Sequence, residues 1–344
     1  MKEIRVQDAV GQVLCHDITE IVRGVRKGAR FRKGHVITEE DIPVLLSLGK
    51  EHIYIYENDP AMLHENEAAD ILRQLSQNEH MRATEPKEGK IELVAEVDGV
   101  FQIDRAHLEA VNDVEDMTIA TIPDNMPVKA GTKLAGMRVT PLFIEKTRME
   151  AVRRAAGEKP LLRLLPYRKD LKVGVVTTGS EVFKGRIKDT FTPVIEAKLK
   201  AFGLSITEHR LSDDVTEHTQ KQIEELLVTG MDMVLCTGGM SVDPDDRTPA
   251  AIRDAGVKIE TYGAPVLPGA MFLLGYYDRP DGQSTVVMGL PGCVMYDRAT
   301  IFDMILPRAI AGDRVTGREI KRFGIGGLCM RCEVCHYPIC GFQH

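Results

Sequence analysis

Residues 171–181 read LKVGVVTTGSE, and this stretch decides the fold class. Residues 171–177 form a run rich in β-branched side chains, which is typical of a strand buried on both faces of a sheet. The glycine and the polar residues at 179–181 indicate a turn directly after the strand. A strand of this kind needs helices on either side, and the residues that follow supply them.

Strands and helices alternate from residue 171 to about residue 311. The hydrophobic pattern predicts further strands at 204–211, 233–237, 257–262, 271–276 and 285–289. Helices are predicted with Thr192 as N-cap and Pro193 in the first turn, around Thr219, from Thr248, and up to Ala311. Such alternation is typical of an α/β domain wound by right-handed crossovers. We therefore predict a doubly wound, mostly parallel sheet over residues 168–312.

The first half of the chain predicts smaller modules of mixed α+β structure. Over residues 1–85 the pattern predicts a short helix capped by Thr38, a strand at 52–56 and a helix through Ala68 and Leu72. Residues 82–90 are polar and contain proline and glycine, which indicates a loop. Residues 90–158 predict a small β-rich module that ends in a helix, and residues 159–169 predict a connector. Residues 326–344 form a separate cysteine-rich tail.

Composition and charge exclude several classes of protein. The 344 residues are 43% hydrophobic and 28% charged, a balance that excludes wholesale disorder. The formal net charge is -7, from 44 basic and 51 acidic residues, so no broad nucleic-acid-binding surface is expected. The sequence has no run of about 18 apolar residues and no apolar signal core at its start. We therefore expect a cytoplasmic protein without a membrane or nucleic-acid partner.

Three glycine-containing loops follow strands of the predicted sheet, at residues 178–181, 238–246 and 290–293. Ligands of open α/β sheets bind beyond the carboxyl ends of the strands, so these loops should lie at one edge. Glycine lets the backbone approach a ligand closely, and the N-terminus of a following helix offers free N–H groups. The loops together predict a site for a phosphate or another oxyanion.

Carboxylates are predicted at the same edge, and they are Glu181, Asp189, Asp213, Asp214, Asp243, Asp245 and Asp246. Carboxylates beside a phosphate repel it unless a cation lies between them. Helix capping explains Asp189 and Asp214 well, and it is the alternative for the adjacent pair Asp245 and Asp246. A hard cation such as Mg²⁺, or a role in positioning the metal centre of an oxyanion, would relieve the repulsion.

Taken together, these loops resemble the molybdopterin-binding domain of molybdenum cofactor biosynthesis proteins. Six motifs carry the resemblance, in order over residues 171 to about 311: TGSE (178–181), GRIKDT (185–190), SDD (212–214), GGMSV (238–242), DRT (246–248) and GLPG (289–292). GGMSV and LPG are more similar to the molybdopterin molybdenumtransferases, the molybdenum insertases, than to the adenylyltransferases. The cysteine tail is not part of this resemblance.

The resemblance implies an enzyme that binds adenylylated molybdopterin, cleaves its pyrophosphate link with Mg²⁺ and transfers molybdate to the dithiolene. It implies that the carboxylates at the reaction site are Glu181, Asp213 and Asp246. The ligand-binding residues that it implies are Thr178, Gly179, Ser180, Gly238, Gly239, Ser241, Thr248, Pro291 and Gly292. Because related proteins form dimers or trimers, a homo-oligomer is expected, and a molybdoenzyme client is a further expected partner.

The chain departs from the insertase pattern in ways that keep alternatives open. Ser180 replaces an aspartate of that family, Phe191 and Cys293 each replace an asparagine, and VLPGAM (266–271) lacks two lysines. The loss of two cations should weaken binding of phosphate or molybdate. A non-catalytic molybdopterin carrier or sensor that docks a client through its tail is therefore one alternative. Residues 245–250 also resemble competence-damage-type proteins, in which a related domain hydrolyses nucleotide pyrophosphates.

Four of the seven cysteines crowd the end of the chain, in the spacing C-x2-C-x2-C-x4-C: Cys329, Cys332, Cys335 and Cys340. Close spacing lets one short loop bring several thiolates to a metal. The first three cysteines have the spacing of an iron–sulfur run, whereas four cysteines also suit tetrahedral zinc. The sequence predicts a site for Zn²⁺ or an iron–sulfur cluster beyond a flexible hinge at Gly326-Gly327. The dispersed histidines, His209 and His218 among them, are interpreted as surface or core residues.

Overall fold

A computed structural model describes residues 2–22, 26–55, 59–244 and 246–342. Two compact units make up the chain. The first comprises Met1–Val97, Gln102–Ile122 and Ala130–Leu164, and the second comprises Asp98–Phe101, Pro123–Lys129 and Leu165–His344. The boundary that the sequence predicts between residues 85 and 90 stays a prediction. Within the described ranges, no helix is both long enough and apolar enough to cross a membrane.

The first unit combines short antiparallel strands with helices. Its strands are Lys2–Arg5, Ile18–Val22, Arg26–Phe31, His52–Ile55, Met62–His64, Met81–Ala83, Ile91–Ala95, Met117–Thr121, Lys133–Val139 and Phe143–Glu145. Its helices are Asp41–Ser47, Glu65–Ser76, Arg105–Asn112 and Lys146–Ala156, with a short 3₁₀ turn at Val6–Asp8. Two further strands, Gly99–Ile103 and Leu162–Pro166, each include residues of both units, and the strand Met126–Val128 belongs to the second unit.

Two local predictions for this half of the chain were wrong. The first helix begins at Asp41, and Thr38 does not cap it; instead the Asp41 carboxylate accepts hydrogen bonds from the Thr38 amide and hydroxyl, both at 2.9 Å. Residues 159–169 contain the strand Leu162–Pro166, whose leucines at 162 and 164 are buried at alternate positions. The helix through Ala68 and the strand from His52 are confirmed, although Tyr56 lies outside the described residues.

A buried carboxylate begins the helix Glu65–Ser76 in the first unit. The Glu65 side chain is 11% exposed, and its nearest cation is Arg138, with 3.8 Å between the guanidinium and the carboxylate. A Cβ added at Gly89 would lie 2.3 Å from Glu65 Oε2, so this glycine leaves room for the carboxylate. Burial raises the pKa of Glu65, and the charge of Arg138 offsets only part of that effect.

Replacing Glu65 by Gln should stabilise the protein at neutral and alkaline pH. Because the pKa of Glu65 is raised in the folded state, protonation of its carboxyl group stabilises the fold. This stabilisation is complete below pH 4.5, the usual pKa of the group, and it is lost as the pH rises through the raised pKa of the folded state. Urea unfolding from pH 4 to pH 8 should therefore give a flatter stability curve for E65Q than for the native chain. Glu79→Gln, at an exposed site of the same unit, serves as the control. Identical curves for all three proteins would show that Glu65 ionises freely in the folded state.

The second unit contains a six-stranded mixed sheet. Its strands are β1 (Val173–Thr178), β2 (Ile206–Ser212), β3 (Met233–Thr237), β4 (Lys258–Tyr262), β5 (Leu273–Asp278) and β6 (Ser284–Leu290). Their order across the sheet is β2-β1-β3-β6-β5-β4. The first four strands in this order are parallel. β5 runs antiparallel to them, and β4 at the edge pairs antiparallel with β5, so β4 has the same direction as the first four. The predicted mostly parallel sheet is confirmed.

Helices cover both faces of this sheet, which confirms the doubly wound architecture. They are α1 (Ser180–Phe183), α2 (Thr192–Lys200), α3 (Thr216–Val228), α4 (Thr248–Asp254), α5 (Ile301–Ile310) and α6 (Gly317–Arg322), with a 3₁₀ turn at Gly292–Met295. Residues of α2 and α5 pack with Val175 on one face, and residues of α3 and α4 pack with Val176 on the other. Every residue of β1 is buried, as its β-branched run predicts.

The ends of the parallel strands are aligned at one edge of the sheet. Thr178 at the end of β1 lies beside Ser212 at the end of β2, and Thr237 of β3 lies beside Leu290 of β6. The loops that follow these strands therefore emerge side by side, which is the arrangement that positions the candidate site.

Candidate functional site

A cavity of about 570 Å³ lies at the carboxyl ends of β1 and β3. Of the residues implied by the family resemblance, it is lined by Thr178, Gly179, Glu181, Gly238, Gly239 and Asp246. The lining also includes Thr177, Lys188, Asp189, Thr190, Asp214 and Met295. Two of the three glycine loops thus share one cavity as predicted, whereas the segment after β6 reaches it through Met295.

The glycines of the second loop allow the two loops to approach each other closely. Gly238 and Gly239 have φ values of 82° and 56°, which lie in the left-handed region. A Cβ at Gly238 would lie 2.5 Å from the Thr178 carbonyl oxygen, and one at Gly239 would lie 2.7 Å from Thr248 Oγ1. Thr178 Oγ1 donates to the Thr237 carbonyl at 3.0 Å and lies 3.2 Å from Thr248 Oγ1. Buried Thr248 therefore positions the loops and does not line the cavity.

Several loop amides that were expected to hold a phosphate already have partners within the protein. Ser180 N–H donates to Asp214 Oδ2 and Ser241 N–H donates to Asp246 Oδ2, each at 2.9 Å. The Gly179 amide donates to the Ser212 carbonyl at 3.1 Å. The helices after the loops, α1 and α4, have only four and seven residues, so their dipoles add little. An anionic ligand must compete with these carboxylates or arrive together with a cation.

Negative charge dominates the cavity. Four carboxylates line it, those of Glu181, Asp189, Asp214 and Asp246, whereas Lys188 is the single lysine or arginine among the lining residues that the structure describes. The Asp246 amide donates to the Asp243 carbonyl at 2.9 Å, and Asp245 lies outside the described residues.

Asp213, which the resemblance implies to be catalytic, does not line the cavity. Both of its carboxylate oxygens lie 3.0 Å from His218 Nδ1, and its Oδ1 accepts the Val215 amide at 3.1 Å. Desolvation opposes ionisation, yet these hydrogen bonds lower the pKa of Asp213 below its usual value. The neighbouring Asp214 lines the cavity instead. His218 is exposed, as interpreted from the sequence, but its ring contacts this carboxylate.

The remaining predicted residues do not line the cavity. They are Ser180, Ser241, Thr248, Pro291 and Gly292. Cys293 follows Gly292 and is half-buried, and burial together with the charge of Asp297 raises the pKa of its thiol. The raised pKa favours the neutral thiol, and it therefore favours a structural role for Cys293 over a thiolate that faces the ligand.

Sequence reasoning assigned Asp189 to helix capping and His209 to no site. Asp189 Oδ1 accepts the amides of Phe191 and Thr192, so Asp189 and not Thr192 caps α2, and the same carboxylate lines the cavity. Burial works against ionisation, but hydrogen bonds from Thr192 outweigh it and lower the pKa of Asp189. His209 Nε2 lies 3.0 Å from Thr177 Oγ1 and 3.7 Å from Asp189 Oδ2. This contact depends on β2 lying beside β1, which no local motif indicates.

The carboxylates around the cavity do not form a preformed metal site among the described residues. In the described part of the chain, no three His, Cys, Asp or Glu side chains are placed so that they could hold one metal ion. Mg²⁺ usually takes only one or two protein carboxylates and completes its shell with water and phosphate oxygens. The separated carboxylates therefore suit a shared protein–phosphate ion better than a preformed cage.

Residues 174–311 match the family described as a probable molybdopterin binding domain. This part of the chain is therefore a domain of the molybdopterin-binding family, as its motifs predict. Residues 3–57 match a second family, which is described as a domain of unknown function, DUF8806.

The curated relatives match a limited part of the chain. A CinA-like protein from Mycobacterium sp. (strain MCS) is 30% identical over 81 residues, which is 24% of this chain and 19% of the relative. A CinA-like protein from Desulfosudis oleivorans (strain DSM 6200 / JCM 39069 / Hxd3) is 33% identical over 84 residues, which is 24% of this chain and 20% of the relative. The match thus spans about a fifth of the length of these relatives.

Among solved structures, the molybdopterin biosynthesis enzyme MoaB from Thermus thermophilus is similar, and the alignment covers 42% of this chain and 98% of the MoaB chain. The identity is 21% and the TM-score is 0.33. The alignment with the protein CinA from Thermoplasma acidophilum covers 36% of this chain and 92% of the CinA chain, at 16% identity and a TM-score of 0.30.

Proposed function

We propose that the cavity beside β1 and β3 binds the phosphate end of adenylylated molybdopterin, and that the protein cleaves the pyrophosphate link and inserts molybdate. One observation carries the proposal: two glycine loops and four carboxylates share one cavity in a domain of the molybdopterin-binding family. A volume of about 570 Å³ suits a ligand of small-molecule size.

Each group of lining residues has a separate part in this proposal. Lys188 pairs with a phosphate oxygen, and the glycine loops let the phosphates approach the backbone closely. Glu181 and Asp246 are the carboxylates that would hold Mg²⁺, which neutralises charge on the phosphates when it is bound. Val182 and Ile187 add apolar surface against which a planar ring can pack.

Hydrolysis of a nucleotide pyrophosphate without molybdate is the second candidate. The single lysine of the lining favours it, because a molybdate held beside a pyrophosphate brings additional negative charge into an acidic cavity. The resemblance of residues 245–250 to competence-damage-type proteins, in which a related domain hydrolyses nucleotide pyrophosphates, supports the same candidate. In both candidates the protein acts on a pyrophosphate link at the same residues.

The test is incubation of the full chain with adenylylated molybdopterin and Mg²⁺, with and without molybdate. AMP release that depends on molybdate, together with molybdenum bound to the pterin, supports insertion. AMP release at the same rate without molybdate supports the pyrophosphatase. Tight binding without AMP release supports the carrier, and absence of binding overturns the proposed ligand.

We also propose the wider setting that the sequence predicts. It includes a cytoplasmic location, a homo-oligomer and a molybdoenzyme client that docks through the cysteine tail. Gel filtration with light scattering tests the oligomer, because a monomer at micromolar concentration would contradict it.

A further inference from the structure

The start of the cysteine tail is fixed to the α/β unit and is not a free hinge. The Leu267 amide donates to the Gly327 carbonyl at 2.7 Å, and the Cys329 amide donates to the Leu267 carbonyl at 2.8 Å. A Cβ at Gly327 would lie 2.3 Å from the Phe323 carbonyl oxygen and 2.4 Å from that of Pro265. The flexible hinge predicted at Gly326-Gly327 was therefore wrong, because Gly327 is needed for close packing.

The far end of the tail is fixed as well. Tyr337 Oη donates to the Asp303 carbonyl at 3.1 Å, and Phe342 is 4% exposed. The two rings lie edge to face, with 6.1 Å between their centroids. Because both ends are held, the segment between them, which carries Cys332 and Cys335, is restrained relative to the domain.

The four tail cysteines are among the residues that line a cavity of about 460 Å³. Cys329, Cys332, Cys335 and Cys340 all line it as free thiols. A single tetrahedral zinc ion, with Zn–S bonds of about 2.3 Å, would draw its sulfur atoms to within about 4 Å of one another. No three potential ligands converge in this way within the described ranges. The four thiols therefore share one cavity, and within the described ranges they are not arranged as the ligands of a single ion.

We propose that this cavity is the site of an iron–sulfur cluster, in which Cys329, Cys332, Cys335 and Cys340 each bind one iron. A four-iron cluster presents its irons at separate corners, so its thiolate ligands stand apart around it. The C-x2-C-x2-C spacing of the first three cysteines is typical of such ligands. Each thiol gives up its proton when it binds iron.

The charges around the cavity fit a negatively charged cluster. Four thiolates carry more negative charge than the iron–sulfide core of a four-iron cluster neutralises. Two cations, Arg298 and Arg331, line the same cavity together with one carboxylate, Asp297, which lies 3.7 Å from Arg331. This site does not depend on the reaction at the first cavity, so it can be tested by its metal content alone.

The test is anaerobic purification of the full chain, followed by reconstitution with ferrous iron and sulfide under reducing conditions. We expect about four irons and about four acid-labile sulfides per chain, with visible absorption of a cluster. The double variant Cys332→Ser, Cys335→Ser should hold less than about one iron per chain, because it lacks two of the four ligands. Both of these cysteines are exposed, so their replacement should leave the fold intact.

Cys293→Ser is the matched control, because this half-buried thiol does not line the tail cavity. It should retain the full cluster, and circular dichroism should show the same fold in all three proteins. Three results would each overturn the proposal. They are absence of iron and sulfide from the reconstituted native chain, one zinc per chain that iron does not replace, and a complete cluster in the double variant.

Discussion

Asp246→Ala should lower the rate of AMP release from adenylylated molybdopterin by at least about a hundredfold, which is the scale of losing one electrostatic contact to a reacting group. Asp246 lines the cavity and its Oδ2 accepts the Ser241 amide at 2.9 Å. The substitution removes both a carboxylate available to a cation and the anchor of the loop. Because the side chain lies in a loop and is partly exposed, thermal unfolding should change little.

Two further variants separate the charge of Asp246 from its structural role. Asp246→Asn keeps an oxygen that can accept the Ser241 amide but removes the charge, so its rate should be nearly as low as that of the alanine variant. Asp243→Ala removes an exposed carboxylate from the same loop and should stay within about twofold of the native rate. A native rate in D246A would remove Asp246 from the mechanism.

Gly238→Ala should lower the free energy of unfolding by about 3 kcal/mol and abolish ligand binding at the first cavity. The residue has φ 82°, and the added Cβ would lie 2.5 Å from the carbonyl oxygen of Thr178. Backbone at the end of β1 must therefore shift, and this shift separates the two loops that form the cavity. Urea unfolding and calorimetric titration with the pterin ligand measure the two effects.

Gly203→Ala is the matched control for backbone strain. Gly203 has φ 75°, but no atom lies within 4 Å of the Cβ that alanine would add. Its alanine variant should lose only about 1 kcal/mol and should bind the ligand normally. Equal losses of stability in the two variants would show that Gly238 is required for its φ value alone and not for close approach of the loops.

The sequence predicted the buried strands and the alternation of the α/β domain because these depend on local hydrophobic patterns. It did not predict that β5 runs antiparallel to the other strands, since a strand has the same burial pattern in either direction. The same limit explains the site. Asp213 and Asp214 are adjacent, and only the folded loop shows that Asp214 lines the cavity while Asp213 contacts His218.

Long-range contacts account for the other differences. His209 reaches Asp189 only because β2 pairs with β1, and nothing near residue 209 indicates that pairing. In the tail, the spacing of the cysteines predicts a shared site but cannot distinguish one zinc ion from a cluster. That distinction depends on whether the thiols converge, which is a property of the folded segment.

The chain after β6 forms a common wall between the two cavities. Met295 lines the first cavity and is the sulfur partner of Thr190 Oγ1 at 3.8 Å, whereas Tyr296 and Asp297 line the second. Because these residues are consecutive, a displacement of the backbone at 295–297 can reach both compartments. If a cluster bound at the tail cavity changes the affinity of the first cavity for a pterin, thermodynamic linkage requires the bound pterin to change the affinity of the tail for the cluster by the same factor.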